Sequence, residues 1–68
     1  MTDLSPDAIR ALRQRLNLAQ SAFAARVGVT LNAVQKWEAG THKPSRLAAR
    51  ELARLSAAAD YTPGDSDA

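Results

Sequence analysis

Near its centre the chain reads Gln20-Ser21-Ala22-Phe23-Ala24-Ala25-Arg26-Val27-Gly28-Val29-Thr30-Leu31-Asn32-Ala33-Val34-Gln35-Lys36-Trp37-Glu38. At helical spacing, Phe23, Ala24 and Val27 form one apolar stripe that stops at Gly28, and Val34 and Trp37 form a second that starts after Thr30. The spacing predicts two short helices meeting at a tight corner. Gly28 stands where the first helix must end in a left-handed residue, a conformation without steric penalty for glycine. Thr30 can accept a hydrogen bond from the free amides that open the second helix. Ala24 is small where the two helices approach most closely.

Working outward, the same devices recur. Upstream, Ser5 is placed to cap a first helix with Pro6 at its first position and Asp7 near the positive end of its dipole. Met1 to Leu4 is expected to be loosely held, although Leu4 and Ile9 are spaced as a hydrophobic staple across the cap. The pairs Leu18 with Phe23 and Val29 with Val34 repeat that staple at the next two helix starts. Ile9, Leu12 and Leu16 supply the core stripe of the first helix, and Asn17 can take the left-handed position that ends it. Downstream, the third helix is expected from about Leu31 to Ala39, closed by Gly40. A loop Thr41-His42-Lys43-Pro44 follows, and Ser45 caps a fourth helix from about Arg46 to Ala58. Leu52, Leu55 and Ala59, with Leu47 or Ala48, are expected to close the core. Arg46, Arg50 and Arg54 then form a basic stripe and Ala49, Ala53 and Ala57 a smooth one.

Composition narrows the class. Sixty-eight residues make one small domain, expected over 1–59, followed by an acidic tail over 60–68 that has nothing to bury and is expected to be disordered. Of all residues 46% are hydrophobic, mostly Ala, Leu and Val, so an all-α domain of four helices is expected. The absence of cysteine removes disulfides and thiolate metal sites. No apolar run approaches the roughly 20 residues of a membrane span, and no signal peptide is expected because Asp3 arrives at once. A reducing cytoplasmic setting is the expectation. All nine Lys and Arg lie between Arg10 and Arg54, while residues 1–59 hold four acidic residues (Asp3, Asp7, Glu38, Glu51), a net charge of +5. Such a basic domain suits a polyanionic partner, although solvated helix faces would give the same count.

Two helices at a glycine corner are the arrangement of a helix-turn-helix, whose second helix enters the major groove of DNA. With Val34 and Trp37 turned inward, Leu31, Asn32, Gln35 and Lys36 share the opposite face. Asn32 and Gln35 carry amides suited to adenine, Lys36 can donate to guanine, and Leu31 can touch a thymine methyl. Phosphates would be held by amides at the starts of the second and third helices, the latter beside Thr30, and by the loop Thr41, His42 and Lys43, with Arg26 a weaker candidate.

The positions of Ala24, Gly28, Val34 and Trp37 resemble the helix-turn-helix of phage repressors of the Cro/C1 type, the XRE family, over about Ile9 to Leu55. The run Trp37-Glu38-Ala39-Gly40 with Lys43-Pro44-Ser45 resembles a subgroup that includes many antitoxins. The resemblance implies a compact four-helix domain of the lambda-repressor kind. It implies that Gln20 bridges DNA backbone and base, that Leu31, Asn32 and Lys36 occupy the main base-reading positions, and that Glu38 pairs with Arg13. Two departures stand out. Ala19 replaces the usual Ser, Thr or Asn before the second helix, losing a side-chain cap worth roughly 1 kcal/mol. Leu31 stands where a polar residue is usual.

Other roles weigh less. One His and scattered carboxylates assemble neither a catalytic site nor a metal site, so no enzyme, metal or cofactor is expected. Glu38 reads as a structural partner of Arg13, and Trp37 as core. The expected partner is double-stranded operator DNA, bound by a weak or DNA-induced homodimer acting as a transcriptional repressor. An antitoxin would bind a toxin as well, and a protein-interaction module would turn the same helix to another protein.

Overall fold

The computed structural model describes residues 4–60; the expected acidic tail beyond Asp60 and the first three residues lie outside them. Four helices make up the described fold: α1 (Pro6–Arg15), α2 (Gln20–Val27), α3 (Leu31–Ala39) and α4 (Arg46–Asp60). The last helix runs two residues past the expected Ala58, so Asp60 belongs to α4 rather than to the tail.

Each boundary has a local cause. The Ser5 hydroxyl accepts from the amide of Ala8 at 3.2 Å, and Thr30 and Ser45 do the same for Ala33 at 3.1 Å and Ala48 at 3.2 Å. These contacts satisfy amides that an α-helix leaves unpaired at its start. By contrast, α2 is preceded by Ala19, whose backbone is extended and which offers no side-chain cap. Asn17 takes φ 57° just after α1, and Gly28 and Gly40 end α2 and α3 at φ 91° and 83°. A Cβ at Gly28 would meet no atom within 4 Å, so its requirement for glycine is conformational.

The core is one cluster drawn from all four helices: Ile9 and Leu12 of α1, Phe23, Ala24 and Val27 of α2, Val34 and Trp37 of α3, and Ala48, Leu52 and Leu55 of α4. Phe23, Val34 and Leu52 are fully buried. Leu4, Leu18 and Val29, the outer members of the three staples, pack against this cluster, which ties Leu4 down rather than leaving it loose. Leu16 differs from the expectation. It follows the last residue of α1 as the C-cap, at the edge of the cluster, and is only half-buried. Between the two alternatives at the start of α4, Ala48 is buried and Leu47 is 75% exposed. The small residue lets α4 approach the core closely. The alanine stripe of α4 is also less open than its spacing implies, because Ala49 and Ala53 are half-buried and Ala57 alone is exposed.

Candidate nucleic-acid interface

The orientation of α3 fixes everything on its outer side. Val34 and Trp37 point into the core, and Glu38 on the same side is 6% exposed. A carboxylate so deeply buried needs charged partners. Arg13 supplies them as a fork: Nε donates to Oε2 at 2.7 Å and Nη2 to Oε1 at 3.1 Å, while Nη1 donates to the Leu18 carbonyl at 3.1 Å. Arg10 donates through Nη2 to the Glu38 backbone carbonyl at 2.9 Å, and its Nε lies 3.8 Å from Oε1. Gln20, the first residue of α2, donates through Nε2 to Oε1 at 3.2 Å. Residues from α1, α2 and α3 therefore meet at one carboxylate. Burial alone would push the Glu38 carboxyl up, but the hydrogen bonds from Arg13 and Gln20 and the charges of Arg13 and Arg10 outweigh it and hold the group below its ordinary value. The hydrogen bond to Glu38 likewise raises Arg13 further above its usual range.

With that side anchored, the opposite side of α3 faces solvent. Asn32 and Gln35 are exposed, Leu31 is 41% exposed, and Lys36 is half-buried. Thr30, Asn32 and Lys36 line a shallow cleft of about 350 Å³ together with His42, Lys43 and Ser45 from the following loop. The loop is held there by its backbone. The Lys36 carbonyl accepts from the amides of Thr41 at 3.1 Å and His42 at 3.4 Å, and from the Thr41 hydroxyl at 3.3 Å. Thr41 thus closes the end of α3, and the His42 ring and Lys43 ammonium remain as the loop's side chains at the cleft. The starts of α3 and α4, marked by Thr30 and Ser45, both open onto it, and helix starts carry partial positive charge.

Arg26 does not join this group. It is exposed at the end of α2, and its charge acts on Glu51 of α4. The main influence on Glu51 is its hydrogen-bonded pairing with Arg54, which lowers its carboxyl from the ordinary value. A larger hollow of about 510 Å³ lies behind the loop, between Leu4, Pro6, Trp37 and Pro44. His42 and Lys43 line it as well as the cleft, but none of Leu31, Asn32, Gln35 and Lys36 does. No group of three or more potential metal ligands occurs among the described residues.

Sequence reasoning assigned no role to Arg10 and did not connect Gln20 to Glu38. The first had a faint signal, since Arg10 precedes Arg13 by three residues and so shares its face of α1. The second had none, because it depends on how α2 crosses α3.

Two helices joined at a left-handed glycine, the first buried against the second and the second presenting its far side to solvent, define a helix-turn-helix. The chain belongs to the XRE-type helix-turn-helix family: the family model described as Helix-turn-helix matches residues 9–55, most of its length. No curated protein and no solved structure matches it. The family is one of DNA-binding, non-enzymatic domains, and the chain is accordingly a DNA-binding regulator of transcription.

Proposed function

We propose that the chain, acting as a single domain over residues 1–59, binds specific double-stranded DNA sequences as a dimeric transcriptional repressor. In this reading Leu31, Asn32, Gln35 and Lys36 meet base edges in the major groove, and Gln20 reaches DNA from the start of α2. Lys43, His42 and the amides beside Thr30 hold phosphates, with Thr41 fixing the loop through the Lys36 carbonyl rather than contacting DNA, and Arg26 at most a peripheral contact. The observation that carries the reading is the shared cleft: Asn32 and Lys36 from α3 stand beside His42 and Lys43 from the loop, on the side of α3 turned away from the core. A basic domain supports it, with nine positive against four negative charges in residues 1–59.

Dimerisation follows from size. One domain this small makes few contacts, and two copies on half-sites about one helical turn apart supply the rest. With Ala49 and Ala53 half-buried in their own domain, α4 offers a reduced self-contact surface, which favours a weak or DNA-induced dimer. A nanomolar dimer by sedimentation in the absence of DNA would contradict this. The setting is a bacterial or phage-like cytoplasm, where operator DNA is found. The antitoxin alternative would place its toxin contact on the short N-terminus or on Tyr61–Ala68; residues 1–3 and 61–68 lie outside the described residues.

Fluorescence titration with random duplex at low and moderate salt tests the reading. The logarithm of affinity should fall with the logarithm of salt by about 0.9 per phosphate neutralised. Salt-independent or undetectable binding would instead favour a protein-interaction module. Selection from a random pool then yields the operator. Lys36→Ala should change the preferred bases, whereas Lys43→Ala should weaken all duplexes alike and reduce the salt slope by about 1. Equal effects of both changes on every duplex would overturn the division into reading and positioning residues.

A further inference from the structure

The geometry points to Glu38 as a positioning residue that fixes which way round the Gln20 amide faces DNA, so that Gln20 selects adenine over guanine at the base it meets. The inference rests on the proposed reading, in which Gln20 reaches DNA, and adds the base it chooses and the residue that makes it choose.

A glutamine amide is nearly symmetric in shape but not in chemistry, with two N–H donors at one end and a carbonyl acceptor at the other. A free side chain can turn either end toward a ligand. Gln20 is not free: it is half-buried at the first position of α2, and its Nε2 lies 3.2 Å from Oε1 of Glu38. The assignment of nitrogen rather than oxygen to that contact is chemically forced. Glu38 is buried between Arg13 and Arg10 and is held ionised, and an ionised carboxylate only accepts. Turning the amide over would set its carbonyl against a carboxylate oxygen inside the protein. Both Glu38 oxygens are in turn fixed by the Arg13 fork, so the clamp does not swing with its partner.

One N–H is therefore committed inward, leaving one N–H and the carbonyl oxygen to be offered outward. That donor and acceptor pair complements the major-groove edge of adenine, which presents the N6 donor beside the N7 acceptor. The guanine edge presents two acceptors, O6 and N7, and needs two donors. A clamped Gln20 has one outward donor left. The pair that joins α1 to α3 thus also carries specificity through a residue that touches no DNA.

The first test uses the whole chain without DNA. In ¹H–¹⁵N spectra the Gln20 side-chain amide should shift as Glu38 is protonated, at a pH below the ordinary carboxylate range, and move together with the Glu38 carboxyl ¹³C signal. A Gln20 amide indifferent to that titration overturns the clamp. The second test compares base selection by the wild-type chain, Gln20→Met and Glu38→Gln. Wild type should show one position per half-site at which adenine exceeds guanine by about tenfold or more. Gln20→Met should lose that preference. Glu38→Gln, whose neutral amide can donate as well as accept, should flatten it at that position while preferences governed by Asn32 and Lys36 persist. A folded Glu38→Gln protein that still selects adenine there overturns the inference. If Glu38→Gln does not fold, the wild-type titration and Gln20→Met decide. Absence of DNA affinity in the wild-type chain would sink the DNA reading itself, a failure distinct from an unclamped Gln20 in a chain that binds DNA.

Discussion

The two sides of α3 share nine residues of backbone and are built on opposite principles. The inner side places an indole, a valine and a carboxylate where water is excluded, and the charge among them is held by two arginines and a glutamine from two other helices. The outer side leaves Leu31, Asn32 and Gln35 in solvent, with Lys36 half-covered, and among the described residues none of the four side chains makes a hydrogen bond or ion pair. On the inner side each group is over-determined, which fixes the angle of the helix. On the outer side nothing inside the protein dictates the residue, so those positions are free to be set by what they bind. Orientation of the helix and its own base contacts are separable because they occupy different sides of one short helix; the inner side reaches recognition only through the Gln20–Glu38 bond.

Substitutions that break the comparison should therefore fall into two kinds, and the largest effects belong to the inner side. Trp37→Ala should destabilise the fold by about 3–5 kcal/mol, enough to abolish a cooperative urea transition in a domain of this size. A stable Trp37→Ala protein with an ordinary transition would show that the inner side does not set the fold.

Glu38→Ala should lower stability by up to about 3 kcal/mol, because it leaves the half-buried Arg13 guanidinium without its counter-charge. An unchanged thermal midpoint would rule the pair out as a determinant of stability. The same pair has a pH signature. Since the Glu38 carboxyl lies lower in the folded than in the unfolded chain, its contribution is fully present above the unfolded value of about 4.3 and is lost as pH falls through the folded one. Urea midpoints measured from neutral pH downward should fall more steeply below that value in wild type than in Glu38→Gln.

On the outer side the expected effects move from stability to recognition. Asn32→Ala should leave folding stability within about 0.5 kcal/mol of wild type, yet remove about 1–3 kcal/mol of discrimination at one base pair. Unfolding curves and operator-variant titrations on the same preparation measure both quantities. A loss of stability without a change in base preference would place Asn32 with the inner side. The smallest change sharpens the comparison at a neighbouring element: Ala19→Ser should restore the missing cap of α2 and raise stability by about 1 kcal/mol. No gain in the thermal midpoint would mean that water or the chain turn already satisfies those amides.

Much of this arrangement was legible in residue spacing. Ser5, Thr30 and Ser45 announce helix starts because a hydroxyl there answers unpaired amides, and Gly28 and Gly40 announce ends because left-handed backbone suits glycine. The staples at Leu4, Leu18 and Val29 were legible for the same local reason. Choices that depend on how one helix lies against another were not. Leu47 and Ala48 are adjacent, so periodicity alone leaves both open, and only the closeness of α4 to the core selects the smaller residue. Leu16 falls just outside because α1 ends at Arg15 and its stripe runs out at the rim. The bonds from Gln20 and Arg10 to Glu38 span 18 and 28 residues of sequence and exist only because α2 and α1 both cross the end of α3. Of the candidate interface, the outward set on α3 could be read from its inward partners, whereas the proximity of the loop residues His42 and Lys43 to Asn32 and Lys36 required the turn at Gly40.

The separation of the two sides is most directly tested by following backbone amide signals of the whole chain as duplex DNA is added. The account predicts that the largest shifts fall at Gln20, across Leu31 to Lys36 and at Thr41 to Lys43, while Ile9, Leu52 and Leu55 move little. Shifts concentrated on α4 or α1, with Asn32 and Lys36 unchanged at saturating duplex, would contradict it.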